Sequence, residues 1–228
     1  MNIQGFQKMT LLDYPGLVAC TVFTGGCNLR CPFCHNADLV LNPFEYKSIE
    51  QEIMTYLEKR KGIIDGVCVT GGEPLLQNDI ESFIKNIKDL GYKVKLDTNG
   101  TFPDKLKSIT DGKLVDYIAM DVKSSLKNYN LAAGCNVNTD KIRKSIEIIK
   151  NSGIDHEFRT TSVSGIHTKA DFESMAELIG EGEKYYIQAF VDSGRLLGNG
   201  VSAFSENEMR DILTVVKQHA DLAELRGI

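Results

Sequence analysis

The sequence has no excess of basic residues, no long apolar run and no low-complexity or linker-like segment. Its 26 Lys and Arg residues stand against 31 Asp and Glu residues, and the net charge of −5 argues against binding to nucleic acid or to an anionic membrane. No apolar stretch approaches the roughly 20 residues of a membrane-spanning helix, and the first residues do not resemble a secretory signal. We therefore expect a cytoplasmic protein with neither nucleic acid nor membrane as a partner.

The composition is that of an average soluble globular protein, with 42% hydrophobic and 25% charged residues in a chain of 228. Because no segment marks a boundary, we predict a single domain over residues 1–228. A short β-like run followed by an amphipathic helical pattern recurs six times along the chain. The predicted strands are 17–24, 66–71, 93–98, 116–122, 156–163 and 184–190.

This alternation predicts an α/β fold with a parallel sheet and right-handed crossovers. Six units are too few for the closed eight-unit barrel, so we expect a partial (β/α)6 barrel of the TIM type. Polar motifs follow the first four predicted strands, and a fifth motif closes the fifth strand. They are a cysteine cluster, "GGEP" (71–74), "DTNG" (97–100), "DVK" (121–123) and "RTT" (159–161). Because barrel active sites collect at the carboxyl ends of the strands, we predict that these motifs form one site.

The six cysteines divide into one cluster and three isolated residues. Cys20 and Cys68 lie in apolar runs, where a buried hydrophobic role is expected. Cys135 lies in a predicted loop, where a role as a further ligand stays open. In a reducing cytosol, clustered thiols indicate metal binding or catalysis rather than disulfides. Within eight positions, the cluster contains Cys27, Cys31 and Cys34.

The cluster offers three thiols where a structural zinc site needs four ligands. His35 is the only other nearby candidate, and adjacent residues such as Cys34 and His35 rarely converge on one tetrahedral ion. An iron–sulfur cubane takes one thiolate per iron, so three cysteines leave the fourth iron open. An open metal position is typical of a catalytic site, where a substrate or cofactor supplies the missing ligand. His35 and Asn36 could donate hydrogen bonds to sulfur and tune its potential, or could only cap the loop.

The other motifs also suit a ligand site. Gly71 and Gly72 let the backbone approach a ligand closely. Asp97 and Asp121 end neighbouring predicted strands, so their carboxylates are expected side by side, where a nearby cation would offset their repulsion. Lys123 could supply that cation or bind an anionic group of a ligand. The simpler alternative is an ordinary ion pair at the strand ends.

The spacing Cys-x3-Cys-x2-Cys, with Phe33 before the last cysteine, resembles the signature of radical S-adenosylmethionine (SAM) enzymes. "GGEP" resembles the Gly-Gly-Glu-Pro motif of the same superfamily. Over essentially the whole chain, further segments resemble the activases of glycyl-radical enzymes, most of all the activating proteins of anaerobic ribonucleoside-triphosphate reductase and then pyruvate formate-lyase activating enzyme. These segments are "LDYPG" (12–16), "CPFCHN" (31–36), "LDTNG" (96–100), "MDVK" (120–123) and "EFRTT" (157–161).

The resemblance implies a [4Fe–4S] cluster on the three cysteines, SAM beside it, and a site that matches one for a monovalent cation. The chain lacks the histidine expected near SAM in the formate-lyase type, and Gln188 is the candidate in its place. The other implied SAM contacts are Phe33 at the adenine, Gly72 and Glu73 at the amino group, Lys123 at the carboxylate, and Arg159. The implied cation ligands beside SAM are Asp97, Thr98, Asp121 and the Ala119 carbonyl. The implied contacts to the incoming substrate are Asp13 and Arg159.

The implied activity is that of a radical SAM activase, an oxidoreductase of anaerobic metabolism. A low-potential donor such as flavodoxin or ferredoxin supplies one electron, SAM is cleaved reductively at the cluster, and the resulting radical removes hydrogen from a glycine of a partner enzyme. Anaerobic ribonucleoside-triphosphate reductase is the expected partner. The alternatives are another glycyl-radical enzyme of the pyruvate formate-lyase type, a small-molecule substrate as in 7-carboxy-7-deazaguanine synthase, or a metal-binding or electron-transfer module without catalysis.

Overall fold

Eight strands of the described chain join in one continuous sheet, and the sequences of its central strands Ala19–Thr24, Gly66–Gly71 and Tyr117–Asp121 are apolar and β-branched runs. The structure is a computed structural model that describes residues 1–41, 49–192 and 194–228. Along the described chain, each strand pairs with the strands before and after it. The strands are β1 (Ile3–Thr10), β2 (Ala19–Thr24), β3 (Gly66–Gly71), β4 (Lys93–Thr98), β5 (Tyr117–Asp121), β6 (Asp155–Ser162), β7 (Tyr185–Ala189) and β8 (Ala223–Arg226).

Amphipathic helices connect these strands, and a short 3-10 helix (Pro74–Leu76) follows β3. The described helices are α1 (Ala37–Leu41), α2 (Glu50–Lys59), α3 (Ile80–Asp89), α4 (Pro103–Asp111), α5 (Tyr129–Ala133), α6 (Thr139–Asn151), α7 (Lys169–Ile179) and α8 (Glu206–Val216). Apolar residues recur in them at helical spacing, which gives each helix one buried face. In α3 this face consists of Ile80, Phe83, Ile84 and Ile87. Among the residues that the structure describes, no helix is both long and apolar enough to cross a bilayer.

The strand directions confirm the predicted α/β class with a mostly parallel sheet. β1 runs antiparallel to β2, whereas β2 through β8 are mutually parallel. The six predicted strands correspond to β2 through β7, and each observed boundary lies within two residues of the predicted one. Because β1 and β8 are the two edges of the sheet, the described strands form a partial barrel rather than a closed one. The single domain over residues 1–228 stays a prediction.

The sequence did not predict the two edge strands. β1 contains Gln, Lys and Gly and is only partly buried, so it shows no continuous apolar run. β8 is four residues long and carries Glu and Arg. Edge strands are covered on fewer sides than central ones, and the hydrophobic pattern that reveals a strand is correspondingly weaker.

Parallel pairing brings the carboxyl ends of β2 through β6 to one edge of the sheet. Strand register places Asp97 of β4 beside Ala119 of β5, and Asp121 of β5 beside Arg159 of β6. Cys20 and Cys68 are fully buried in β2 and β3, as expected for small hydrophobic residues. The motifs that follow the strands are therefore neighbours in space, although the sequence separates them.

Candidate active site

One cavity of about 470 Å³ collects the sulfur atoms and most of the polar residues predicted for the site. It lies at the carboxyl ends of the central strands. Two predicted site residues, Glu73 and Ala119, are absent from its lining. The predicted residues that do line it are Asp13, Cys27, Cys31, Phe33, Cys34, Gly72, Asp97, Thr98, Asp121, Lys123, Arg159 and Gln188.

Backbone hydrogen bonds fix the cysteine loop between β2 and α1. The Glu73 amide donates to the Gly26 carbonyl (2.9 Å), and the Arg30 amide donates to the Ala133 carbonyl at the end of α5 (2.8 Å). Gly134 has a φ of 64°, and a Cβ there would lie 2.0 Å from the Arg30 carbonyl oxygen. The loop is thus held between the turn after β3 and the end of α5, and only glycine fits the second contact.

The donor set of this loop fits an iron–sulfur cluster. Burial raises the pKa of the Cys31 thiol to about 12 and also raises the pKa of Cys27. Such thiols are neutral at physiological pH, so a bound metal must displace their protons. Among the described residues, no three His, Cys, Asp or Glu side chains converge as the ligands of a single metal ion do. The three cysteines line one cavity, as a cubane that takes each thiolate on a different iron would require.

Gly71 and Gly72 allow the end of β3 to approach the cysteine loop. A Cβ on Gly72 would lie 1.9 Å from the Gly26 carbonyl oxygen, and one on Gly71 would lie 2.3 Å from the Thr24 amide nitrogen. The Gly72 amide donates to the Thr24 carbonyl at 2.9 Å. Any side chain at Gly72 would therefore push the turn away from the cysteines.

Glu73 is fully buried behind the cavity. One carboxylate oxygen accepts hydrogen bonds from the Thr98 hydroxyl (2.8 Å) and the Leu75 amide (3.0 Å), and the other accepts one from the Asn99 amide (2.7 Å). Burial raises the pKa of Glu73 to about 7, although the hydrogen bonds act in the opposite direction. The SAM contact implied for Glu73 has no support in this arrangement, because the carboxylate joins the turn after β4 to that after β3.

Arg159 bridges the two carboxylates that were predicted side by side. Its Nε donates to Asp121 (2.8 Å), and its terminal nitrogens donate to Asp97 (3.2 Å). Buried Lys95 pairs with Asp97, and Lys123 donates to Asp121 at 3.0 Å. Burial alone would raise the pKa of both aspartates. The neighbouring cations outweigh burial and hold the pKa of Asp121 far below its usual range and that of Asp97 below its usual value.

These ion pairs bear on the predicted monovalent-cation site. Arg159, Lys95 and Lys123 already balance the charges of Asp97 and Asp121. The Thr98 hydroxyl is engaged with Glu73, and Ala119 is fully buried in β5 outside the cavity lining. The arrangement therefore gives no support to a metal cation at this position.

Lys123 is held from its backbone as well as from its side chain. His167 accepts a hydrogen bond from the Val163 amide at Nδ1 (3.0 Å), so its Nε2 carries the proton and donates to the Lys123 carbonyl (2.7 Å). The His167 ring also meets Phe33 edge to face, with 6.1 Å between ring centroids. Burial lowers the pKa of His167, which favours this neutral tautomer. One buried histidine thus connects Lys123 to the cysteine loop.

The sequence missed several residues of the site. Asn99 and Thr161 line the cavity but had no predicted role. Both belong to the motifs "DTNG" and "RTT", which the sequence places at the ends of predicted strands, so their positions could have indicated the site. His35 and Asn36 line the cavity, whereas Cys135 does not, so the structure gives no support to Cys135 as a further ligand.

The comparisons with known proteins agree with this geometry. The sequence model of the Radical SAM superfamily matches residues 21–179. A protein of Methanocaldococcus jannaschii, provisionally named a glycyl-radical enzyme activating enzyme, is 30% identical over 233 residues, which cover 99% of this chain and 96% of that protein. The 7-carboxy-7-deazaguanine synthase of Thermoplasma acidophilum is 37% identical over 112 residues, or 48% of this chain and 49% of that one. The pyruvate formate-lyase-activating enzyme of Staphylococcus aureus is 31% identical over 133 residues, or 54% and 53% of the two chains.

The same fold occurs among solved structures. SuiB of Streptococcus suis superposes on 91% of this chain with a TM-score of 0.66 and 15% sequence identity. The chain spans about half (48%) of the length of SuiB. At this identity the likeness concerns the fold alone, and it agrees with the open, mostly parallel sheet described above.

Proposed function

The chain belongs to the radical SAM superfamily, and from this membership we propose that it is an activase that introduces a glycyl radical into a partner enzyme. The name of the M. jannaschii relative, which is similar over nearly the whole length of both chains, supports this class of activity. We further propose anaerobic ribonucleoside-triphosphate reductase as the partner, a low-potential protein such as flavodoxin or ferredoxin as the electron donor, and the cytoplasm as the location. These finer assignments rest on the resemblance of the sequence segments.

The observation that carries the proposal is the shared cavity. Three thiols, the Lys123 ammonium and the backbone of Gly72 line the same 470 Å³ space. Cys27, Cys31 and Cys34 would hold a [4Fe–4S] cluster through three thiolates. When bound, the cluster and SAM supply the one-electron cleavage and hydrogen abstraction that protein side chains cannot perform.

Lys123 and Gly72 offer groups of opposite polarity to a bound amino acid moiety. The Lys123 ammonium has three donors, of which Asp121 takes one at 3.0 Å, so two remain for a carboxylate such as that of SAM. The Gly72 N–H donates to the Thr24 carbonyl, and the Gly72 carbonyl oxygen is the group that would accept from an ammonium. Lys123 and Gly72 would thus hold the carboxylate and the ammonium of one amino acid moiety.

Asp13 is the residue that we assign to the incoming polypeptide. Its carboxylate lines the cavity and accepts a hydrogen bond from the Thr21 hydroxyl (2.5 Å), which fixes its orientation. A carboxylate has capacity for further donors, such as the backbone amides of a glycyl loop. Arg159 is already committed to Asp97 and Asp121, so we assign it the charge balance of the site rather than substrate contact.

The experiment that tests this function is the transfer of a radical to a defined partner. Reduced, reconstituted protein is mixed under anaerobic conditions with SAM and either anaerobic ribonucleotide reductase or pyruvate formate-lyase from the same source. We expect an organic radical on the reductase by electron paramagnetic resonance, lost when its glycine is replaced or when the activase carries Cys31→Ala. A radical on pyruvate formate-lyase alone would support the proposed activase function but show that the proposed partner is wrong.

A small-molecule reaction is the second candidate, since the T. acidophilum synthase is 37% identical over about half of this chain. If SAM is cleaved but neither protein gains a radical, the substrate of a 7-carboxy-7-deazaguanine synthase is the compound to add next. Its conversion would favour that reaction over activation of a protein.

A further inference from the structure

Asn99 contacts the sulfur of Cys27 from outside the cysteine loop. It follows β4 directly and is 5% exposed. Its Nδ2 lies 3.8 Å from Cys27 Sγ and 3.0 Å from Asn28 Oδ1, so its two N–H groups have one acceptor each. The Leu29 amide donates to the same sulfur at 3.4 Å. Within the described residues, the sulfurs of the other two cluster cysteines receive no such side-chain N–H.

The neighbours of Asn99 determine which way its amide points. Its Oδ1 accepts hydrogen bonds from the Thr101 amide (3.0 Å) and the Thr101 hydroxyl (2.6 Å). A backbone N–H can only donate, so this end of the side chain is the oxygen and the NH₂ group points to Cys27. Gly100, with a φ of 75°, turns the chain so that Thr101 reaches back to Asn99, as in an Asx turn.

Glu73 fixes the backbone of the same residue. The Asn99 amide donates to the buried Glu73 carboxylate at 2.7 Å. Asn28 Nδ2 donates to the Thr101 hydroxyl at 2.9 Å, which completes a ring of hydrogen bonds around Asn99. The ring therefore orients the side-chain amide of Asn99 before any cofactor binds. Because the amide need not reorient, little free energy is spent when negative charge develops at the sulfur.

We propose that Asn99 is a positioning residue that raises the reduction potential of the cluster through its N–H···S hydrogen bond to Cys27. Reduction adds negative charge to the cluster and its thiolates, and a fixed N–H dipole directed at one sulfur stabilises that charge. The sequence had suggested His35 and Asn36 for this role. In the described chain neither donates to a cysteine sulfur, and His35 instead packs on Phe190 with 5.7 Å between ring centroids.

The test is a redox titration of the reconstituted, SAM-free protein, followed by the spectroscopic signal of the reduced cluster. Asn99→Ala removes the donor and leaves the backbone bond to Glu73. We expect the ratio of reduced to oxidised cluster at a fixed potential to fall about tenfold, which corresponds to about 59 mV for a one-electron couple. Asn151→Ala is the matched control, since it removes an exposed asparagine outside the cavity lining whose amide donates to the Glu147 carbonyl; its titration should coincide with that of the wild type.

A second variant distinguishes loss of the N–H donor from disruption of the turn. Asn99→Ser keeps an oxygen that can accept from the Thr101 amide, as Ser does in such turns, but is too short to reach Cys27. The same shift is expected from it. A change below about twofold in both Asn99 variants, or an equal shift in Asn151→Ala, would overturn the proposal. Failure of both Asn99 variants to hold any cluster would overturn it as well, because Asn99 would then be needed for assembly rather than for tuning.

This inference rests on the proposed cluster at the three cysteines, and the two can fail separately. If the wild-type protein binds no cluster, the proposed function fails before any titration. If the wild type binds a cluster and cleaves SAM but the Asn99 variants titrate like it, only the role of Asn99 is lost.

Discussion

Lys123 shows how a buried cation is kept available for a ligand. Its ammonium pairs with Asp121, and its backbone carbonyl is held by His167. Burial would lower the pKa of Lys123, but the charge of Asp121 raises it, so the side chain stays protonated throughout the physiological range. A permanent positive charge in a cavity is suited to a carboxylate ligand.

We expect Lys123→Met to weaken SAM binding to the cluster-loaded protein. A hydrogen-bonded contact to a charged group contributes about 1.5–3 kcal/mol, which corresponds to a loss of affinity of roughly 10- to 140-fold. Asp121 keeps its bond to Arg159 in this variant, so the fold should persist. Equilibrium binding of SAM measures the effect directly.

The matched control for this substitution is Lys127→Met, four positions along the chain at an exposed position. It removes one positive charge from the same segment without touching the cavity and should bind SAM as the wild type does. Equal affinities of the Lys123 and Lys127 variants would show that Lys123 has no contact with SAM.

At the residue scale, the sequence predicted which residues lie at the site better than it predicted what each of them contacts. The cysteines were found from their spacing, Lys123 from its position after a strand and Asp13 from the family resemblance, and all of them line the cavity. The SAM contact of Glu73 stays a prediction, whereas its hydrogen bonds to the turn after β4 were not predicted, because only folding brings that turn to the carboxylate. Asn99 was missed for the same reason, since its contact with Cys27 spans 72 positions of the chain.

At the scale of elements, the turn after β3 depends on its close contact with the cysteine loop. The Glu73 amide bonds to the Gly26 carbonyl, and no side chain fits between Gly72 and that carbonyl. The turn and the loop therefore act as one unit. A substitution in the turn should therefore displace the cysteine loop and weaken binding of the cluster, although Gly72 is no ligand of the cluster.

We expect Gly72→Ala to lower the iron content after reconstitution to less than about half of the wild-type value, because the added Cβ overlaps the Gly26 carbonyl oxygen at 1.9 Å. Gly62→Ala is the control. Gly62 has a φ of 78° with open space around it, so alanine there costs about 1–2 kcal/mol of strain without touching the site. Iron analysis and thermal unfolding of both variants separate the two effects. Full iron in Gly72→Ala would contradict the proposed coupling.

Strands could be predicted from the sequence where both of their faces are buried. The central strands β2, β3 and β5 read as apolar runs because they are covered on both faces. The central strands β4, β6 and β7 are mixed in sequence and were recognised from their β-branched and aromatic residues. The edge strands β1 and β8 could not be recognised, since their partly exposed sequences resemble loops. This omission did not affect the predicted site, which follows the central strands.

At the scale of the whole molecule, the site exists only in the assembled sheet. Asp13 precedes β2, the cysteines follow it, Asp97 ends β4 and Arg159 lies in β6, yet all line one cavity. The order of strands and the shared edge of parallel strands let the sequence predict this convergence. The partner could not be predicted in the same way, because residues that hold a cofactor do not encode which macromolecule reaches it.

The measurement that tests the central claim most directly is SAM cleavage by the isolated protein. The protein is purified without oxygen, reconstituted with iron and sulfide, reduced, and given SAM alone. We expect methionine and 5′-deoxyadenosine in equal amounts, and neither product from Cys31→Ala. If cluster content and reduction are confirmed and neither product forms, the cavity is a metal or electron-transfer site without radical chemistry, and the proposed function is wrong.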